Sequence, residues 1–237
     1  MTKCLPFTGL RFEVTAVNLT KQRPPICYII GAGELYPDTP IPVLRAEDLL
    51  ICADAGYRTA LALGLTPDLV IGDFDSLGEP PLEGEVVRLP VEKDVTDTEA
   101  ALLLAERRGY RTAVLFGCTG GRPDHTYAAE QLVVGAAARS LRVFLIGSGF
   151  AAFAICRETA RFSPEASGTL SVFAPDGVAA GVTLSGLKYP LLDATLTPSV
   201  PLGVSNSFLG EPASVSVKSG TLLLFAELRA LPYLSFS

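Results

Sequence analysis

Along the first half of the chain, short apolar runs alternate with segments of helical period, and that alternation predicts a parallel sheet. Ile26 to Ile30, Leu49 to Cys52, Leu69 to Ile71, Val86 to Leu89, Thr112 to Phe116 and Arg142 to Ile146 read as strands. Between them the spacing predicts a helical segment that stops at Gly64, a helix from Thr96 to Arg108 with Gly109 at its C-terminal end, and a helix from His125 to Arg139. Strands this apolar imply a sheet covered on both faces. After about residue 150 the helical period disappears. Thr169 to Ala174, Val178 to Leu184, Ala213 to Lys218 and Thr221 to Phe225 are short β-type runs, with Pro175-Asp176-Gly177, Ser185-Gly186 and Ser219-Gly220 as turns. That spacing predicts a small antiparallel sandwich. The expected fold class is α/β plus all-β: a Rossmann-like parallel-sheet domain over residues 26–147, then a β-sandwich domain over 148–237, joined near Gly147 to Phe150. Residues 1–25, ending in Arg23-Pro24-Pro25, read as an N-terminal extension.

Composition narrows the function classes. Of 237 residues, 49% are hydrophobic, enough for a sizeable core. A net charge of -6 argues against the basic footprint of a nucleic-acid binder. Five cysteines, at 4, 27, 52, 118 and 156, are odd in number and widely spaced, as expected of reduced thiols in a cytoplasmic protein. One histidine and no Cys pair at ligand spacing argue against zinc. The start, MTKCLPFTGLRF, lacks the apolar centre of a signal peptide. The stretch Val143 to Cys156 is broken by Gly147-Ser148-Gly149 and is too short to span a bilayer.

In an open parallel sheet, ligands bind beyond the carboxyl ends of the strands. The loops there carry Gly31-Ala32-Gly33, Asp54-Ala55-Gly56, Gly72-Asp73-Phe74-Asp75-Ser76 and Gly117 to His125, and Lys93-Asp94-Val95-Thr96-Asp97 adds a cluster at a helix start. Each piece has a plain structural account. Thr96 with Glu99 matches a capping box, Gly120-Gly121 makes a turn, and Gly31-Ala32-Gly33 lacks the third glycine of a dinucleotide fingerprint. Together they say more. Asp54, Asp73, Asp75, Asp94 and Asp97 crowd like charges onto adjacent loops, which a hard divalent cation such as Mg²⁺ relieves. Backbone N–H groups of the 117–121 loop and the Arg122 fork suit a polyphosphate. Carboxylates, metal, phosphate and arginine make a phosphoryl-transfer site, although no P-loop motif occurs.

The ordered set Asp54-x-Gly56, Pro67-Asp68-x-x-x-Gly72-Asp73-Phe74-Asp75-Ser76, Lys93-Asp94-x-Thr96-Asp97 and Gly120-Gly121-Arg122-x-Asp124-His125 resembles the thiamine pyrophosphokinases. Gly186-Leu187-Lys188-Tyr189 and Ser205-Asn206 look like that family's β-domain signals. The resemblance implies transfer of a pyrophosphoryl group from ATP to the thiamine hydroxyl, a Mg²⁺ requirement, and a homodimer with its site between subunits. It implies that Asp73, Asp75 and Asp97 hold Mg²⁺ and act in catalysis with Arg122. Asp54, Asp94, Thr119, Gly120, Gly121, Arg122, Asp124 and His125 would lie on or near ATP, and Ser205 and Asn206 would meet thiamine. Three other readings compete: a pyrophosphokinase acting on a pterin-type alcohol, a metal-dependent phosphohydrolase with Asp73 as nucleophile, and a nucleotide-sensing module without turnover.

Overall fold

The computed structural model describes residues 23–74 and 84–237. Its first half alternates as the sequence predicts: β1 (Cys27–Ile30), β2 (Leu49–Ala53), α1 (Gly56–Ala62), β3 (Leu69–Gly72), β4 (Glu85–Arg88), α2 (Asp97–Arg107), β5 (Thr112–Phe116), α3 (Pro123–Ala138) and β6 (Arg142–Ile146). These six strands pair in parallel in the order β6-β5-β1-β2-β3-β4. The chain winds outward from β1 to β4, then returns to the other side of β1. The strand order therefore reverses between β1 and β5, where a crevice opens at the carboxyl ends.

Alternate side chains of the sheet enter two different cores. Tyr28, Ile30, Val114 and Phe116 face one side, with Ala60 of α1. Cys27, Ile29, Ala113 and Leu115 face the other, with Ala101 and Leu102 of α2 and Val133 of α3. Period two in the strands and burial on both faces explain why the runs are apolar throughout. Cys27, Cys52 and Cys118 are free and buried, and Cys156 is free and half-buried. Burial pushes the Cys52 thiol up to about 12. That makes it an inert packing group.

The second half comprises β7 (Phe150–Cys156), β8 (Thr159–Phe162), β9 (Thr169–Phe173), β10 (Ala179–Ser185), β11 (Leu191–Leu196), β12 (Gly203–Ser207), β13 (Ala213–Ser216), β14 (Thr221–Glu227) and β15 (Leu234–Phe236). Here the structure differs from the sequence reading. Residues 147–150 do not separate two sheets. They form a tight turn, with Gly147 N–H donating to Phe150 O at 2.8 Å, and β7 runs back antiparallel to β6. Then β14, β9 and β12 follow, so one ten-stranded sheet continues across the expected joint. A separate five-stranded antiparallel sheet, β11-β10-β13-β8-β15, packs on the extension. Phe153, Ile155, Leu170 and Leu224 of the long sheet share one core with Phe162, Val182, Val215 and Leu234 of the short one. Among the described residues no helix is long and apolar enough to cross a membrane.

Candidate functional site

Two glycine-bearing loops meet at the reversal point. Gly31 N–H donates to Phe116 O at 2.8 Å, Gly33 N–H to Gly117 O at 2.6 Å and Glu34 N–H to Thr119 O at 2.9 Å. A Cβ on Gly31 would lie 2.7 Å from Gly117 O, and one on Gly33 would lie 2.7 Å from Thr119 O. Gly31-Ala32-Gly33 is thus a close-approach device that fixes the 117–121 loop, not a remnant of a dinucleotide fingerprint. Beyond that zip, Gly120 and Gly121 take φ values of 78° and 62°, and α3 begins at Pro123 with no side-chain cap. Pro123 has no N–H and the His125 N–H meets the Asp124 carboxylate, so the helix start keeps the Asp124 N–H for an anion.

On the neighbouring strands the ends carry carboxylates. Asp54 follows β2 and Asp73 follows β3, and both turns are strained: Asp54 and Phe74 have φ of 45° and 64°. Phe74 is buried in the core, which holds the strained turn in place. Asp97 opens α2, whose N-cap Thr96 accepts from Glu99 N–H at 3.1 Å. The capping account of Thr96 therefore holds, and it aims Asp97 into the crevice.

A cavity of about 600 Å³ gathers these groups. Asp54, Asp73, Lys93 and Asp97 line it from the β2–β3 side, and Gly120, Gly121, Arg122 and His125 from the β5–α3 side. Lys93 is the residue that sequence reasoning left without a role. Its Nζ donates to Asp73 Oδ2 at 2.9 Å and lies 3.0 Å from Asp97 Oδ1, an ion pair without hydrogen-bond alignment. Burial raises the Asp97 carboxyl above its ordinary value; Lys93 opposes this, and the charges of Asp73 and Asp54 add to it. Burial alone would lower the Lys93 ammonium, but its two carboxylate partners hold it above the ordinary lysine value. Asp54 Oδ1 is buried without a hydrogen-bond partner. Asp54, Asp73 and Asp97 thus present to one cavity oxygen donors of the type a hard cation takes, with the Lys93 ammonium now between two of them.

Other candidates fall elsewhere. Asp75 lies outside the described residues, and among those described no three acidic, Cys or His groups form a metal cluster. Asp94 is exposed and Thr119 half-buried, and neither is among the residues lining the cavity. Thr119 Oγ1 is buried and has no hydrogen-bond partner. Asp124 is exposed and takes the Arg122 fork, at 3.2 Å from Nε and 2.5 Å from Nη2. That pairing holds the Asp124 carboxyl below its ordinary value.

Ser205 and Asn206 lie on β12, at the far edge of the long sheet. Ser205 is exposed, with φ of 57°, at a register shift in the strand. Asn206 is only 2% exposed. Its Nδ2 donates to Tyr189 O at 2.7 Å, and its Oδ1 accepts from Tyr189 N–H and Ser207 N–H, each at 2.9 Å. The amide grips the backbone of an exposed tyrosine. The Asn206 amide is thus committed to backbone on a strand, whereas the resemblance implies that Asn206 meets thiamine.

The profile of the thiamin pyrophosphokinase catalytic domain matches residues 42–145, and that of the thiamin pyrophosphokinase vitamin B1 binding domain matches residues 161–222. Together they take in more than half of the chain. Thiamine pyrophosphokinase of Bacillus subtilis (strain 168) is 29% identical over 208 residues, covering 82% of this chain and 94% of the relative. The crystal structure of the Bacillus subtilis enzyme superimposes with a TM-score of 0.75 at 26% identity, covering 85% of this chain and 98% of that one. Thiamin pyrophosphokinase from Candida albicans shares the fold, with a TM-score of 0.70 at 14% identity, covering 96% and 95% of the two chains.

Proposed function

Since the chain belongs to the thiamin pyrophosphokinase family, we propose that it catalyses transfer of the pyrophosphoryl group of ATP to the hydroxyl of thiamine, giving thiamine diphosphate and AMP. One observation carries the assignment to this site. The crevice between β1 and β5 has carboxylates on one side and a glycine-arginine loop with an uncapped helix start on the other. That arrangement suits a metal-bound triphosphate.

In this reading Asp73, Asp97 and the adjoining Asp75 hold Mg²⁺. When bound there, the ion would supply positive charge against the negative charge that develops on the phosphate oxygens. The remaining work belongs to the protein. Backbone N–H groups around Gly120 and Gly121 and the start of α3 receive phosphate oxygens. Arg122 leaves Asp124 and brings its planar fork to the triphosphate. His125 orients a phosphate from the next turn. Asp54, Asp94, Thr119 and Asp124 complete the nucleotide side. With the triphosphate held straight, the thiamine hydroxyl oxygen attacks the β-phosphorus in line and AMP leaves.

Ser205 and Asn206 form the thiamine side, Asn206 through Tyr189. Sheet order separates them from the crevice. β12 stands five strands from β5 and eight from β3. At about 4.8 Å per strand, that is about 24 and 38 Å along the sheet. One protomer cannot present both halves to one pyrophosphoryl group. A homodimer resolves this by bringing the β12 edge of one copy to the crevice of its partner. Exposed Leu192 on the edge strand β11, together with Val200, Leu202, Val204 and Leu209, supplies apolar surface for that contact. The functional division is then ATP and metal on residues 26–147 and thiamine on 148–237, in a cytoplasmic enzyme with buried reduced thiols.

The test is incubation with ATP and Mg²⁺, with and without thiamine, followed by detection of AMP and thiamine diphosphate. AMP formation that depends on thiamine is the expected result. Phosphate release without acceptor would point to a hydrolase, turnover only with a pterin-type alcohol to a related pyrophosphokinase, and binding without turnover to a sensor.

A further inference from the structure

The family reading assigns carboxylates to a metal, yet the cation found among them is a side chain. Lys93 Nζ lies 2.9 Å from Asp73 Oδ2 and 3.0 Å from Asp97 Oδ1, with 13% of its side chain exposed. A magnesium ion taking those oxygens would sit about 2.0–2.1 Å from each. Two cations crowded onto one oxygen pair would repel each other at close range, so the ammonium must yield when the metal enters. Its surroundings allow that. Lys93 precedes α2 in a segment without regular secondary structure, and its side chain is a flexible four-carbon stem. It lines the same cavity as Gly120, Gly121 and Arg122, where the triphosphate is placed.

We propose that Lys93 is an exchangeable counter-ion: it holds Asp73 and Asp97 together in the ligand-free chain, surrenders them to the metal, and turns its ammonium to the triphosphate. The idea rests on the metal–nucleotide reading of the cavity. It gives Asp73 and Asp97 a shared counter-charge before the metal arrives, offsetting their mutual repulsion. It also links the two ligands. Metal alone must displace the lysine at a cost, whereas metal with nucleotide gives the displaced ammonium a new partner. Nucleotide therefore strengthens metal binding through Lys93 as well as through its own phosphates.

The test uses the full chain and two direct binding measurements. Mn²⁺ binding without nucleotide is followed by electron paramagnetic resonance, and binding of a non-hydrolysable ATP analogue with Mg²⁺ by calorimetry. For Lys93→Met, Mn²⁺ alone should bind about tenfold more tightly and the Mg²⁺-bound analogue about tenfold more weakly, modest changes for one unit charge at close range. Lys93→Arg keeps the charge and should leave Mn²⁺ affinity within about twofold of the parent, which guards against misfolding of the methionine variant. A lysine that merely braces the site would shift both affinities the same way, and a bystander would shift neither; either result overturns the inference. If the parent chain binds neither Mn²⁺ nor the analogue, the metal–nucleotide reading itself fails.

Discussion

Asn206→Ala separates a side chain that touches thiamine from one that holds the residue that does. The buried amide makes three bonds, two to the backbone of Tyr189 and one to Ser207 N–H. Alanine leaves two N–H groups and one carbonyl without their partner. A buried group stranded in this way costs about 1–3 kcal/mol. Tyr189 is 57% exposed, so water can reach part of its backbone and relieve part of that cost. A total of about 2–4 kcal/mol follows, near the low end for three groups. In a chain of this length each kcal/mol moves the melting temperature by about 2–4 °C, so a fall of about 4–16 °C is expected. Thiamine binding should weaken as well, because the loop carrying Lys188 and Tyr189 loses its anchor, while the ATP analogue binds nearly as before. Differential scanning calorimetry and separate titrations of the two ligands measure all three quantities. A variant with unchanged melting but weaker thiamine binding would refute the positioning role and restore direct contact. Equal loss for both ligands would mean the fold as a whole had failed.

Asp73→Asn removes one ligand charge from the cation site; turnover should drop by about two orders of magnitude or more at limiting Mg²⁺, and near-normal rates would remove Asp73 from the metal set. Arg122→Lys should raise the KM for ATP, since an ammonium cannot form the two parallel bonds of the guanidinium; unchanged kinetics with ATP varied would leave Arg122 as a surface partner of Asp124. Arg23→Ala strands the fully buried Asp48 carboxylate, which otherwise pairs with Arg23 Nη1 at 2.7 Å, and should cost about 3–5 kcal/mol in urea unfolding near neutral pH. Burial alone would raise the Asp48 carboxyl, but Arg23 and the N–H groups of Ile26 and Arg45 hold it below its ordinary value. Its stabilising contribution is therefore present above the unfolded-state pKa of about 3.9 and lost as pH falls through the lowered native value. The gap between parent and variant should accordingly shrink below about pH 4, and a gap independent of pH would exclude the pair as its cause.

The parallel half was legible because central strands buried on both faces leave no room for polar residues until they end. Leu69-Val70-Ile71 is apolar to its last residue, and the first carboxylate beyond it, Asp73, lines the crevice. Strand ends, caps and acidic loops were therefore marked together. In the second half, sequence could mark that a strand exists but not its partner. Thr221 to Glu227 pairs with Phe150 to Cys156 across more than sixty intervening residues, and nothing local in either run encodes that choice. Phe150 to Cys156 is apolar on both faces and lies just beyond the expected joint, so it shows no alternation that marks an element of its own. The edge strands β11 and β12 are half polar and fell below the pattern altogether. The same limit governs the site. Asp54 and Asp73, which line the cavity, stand out in the sequence because a carboxylate at the end of an apolar strand has few structural excuses. Lys93 was passed over because a lysine four residues before an aspartate at a helix start has an ordinary one. Asn206 reaches the thiamine side only through the resemblance, and polarity in sequence does not reveal that its amide is buried on backbone. What separates these cases is whether the polar group already has a partner. Lys93 has two that a metal would claim, and Asn206 has three that a ligand would not. The first arrangement is therefore expected to change on binding and the second to persist.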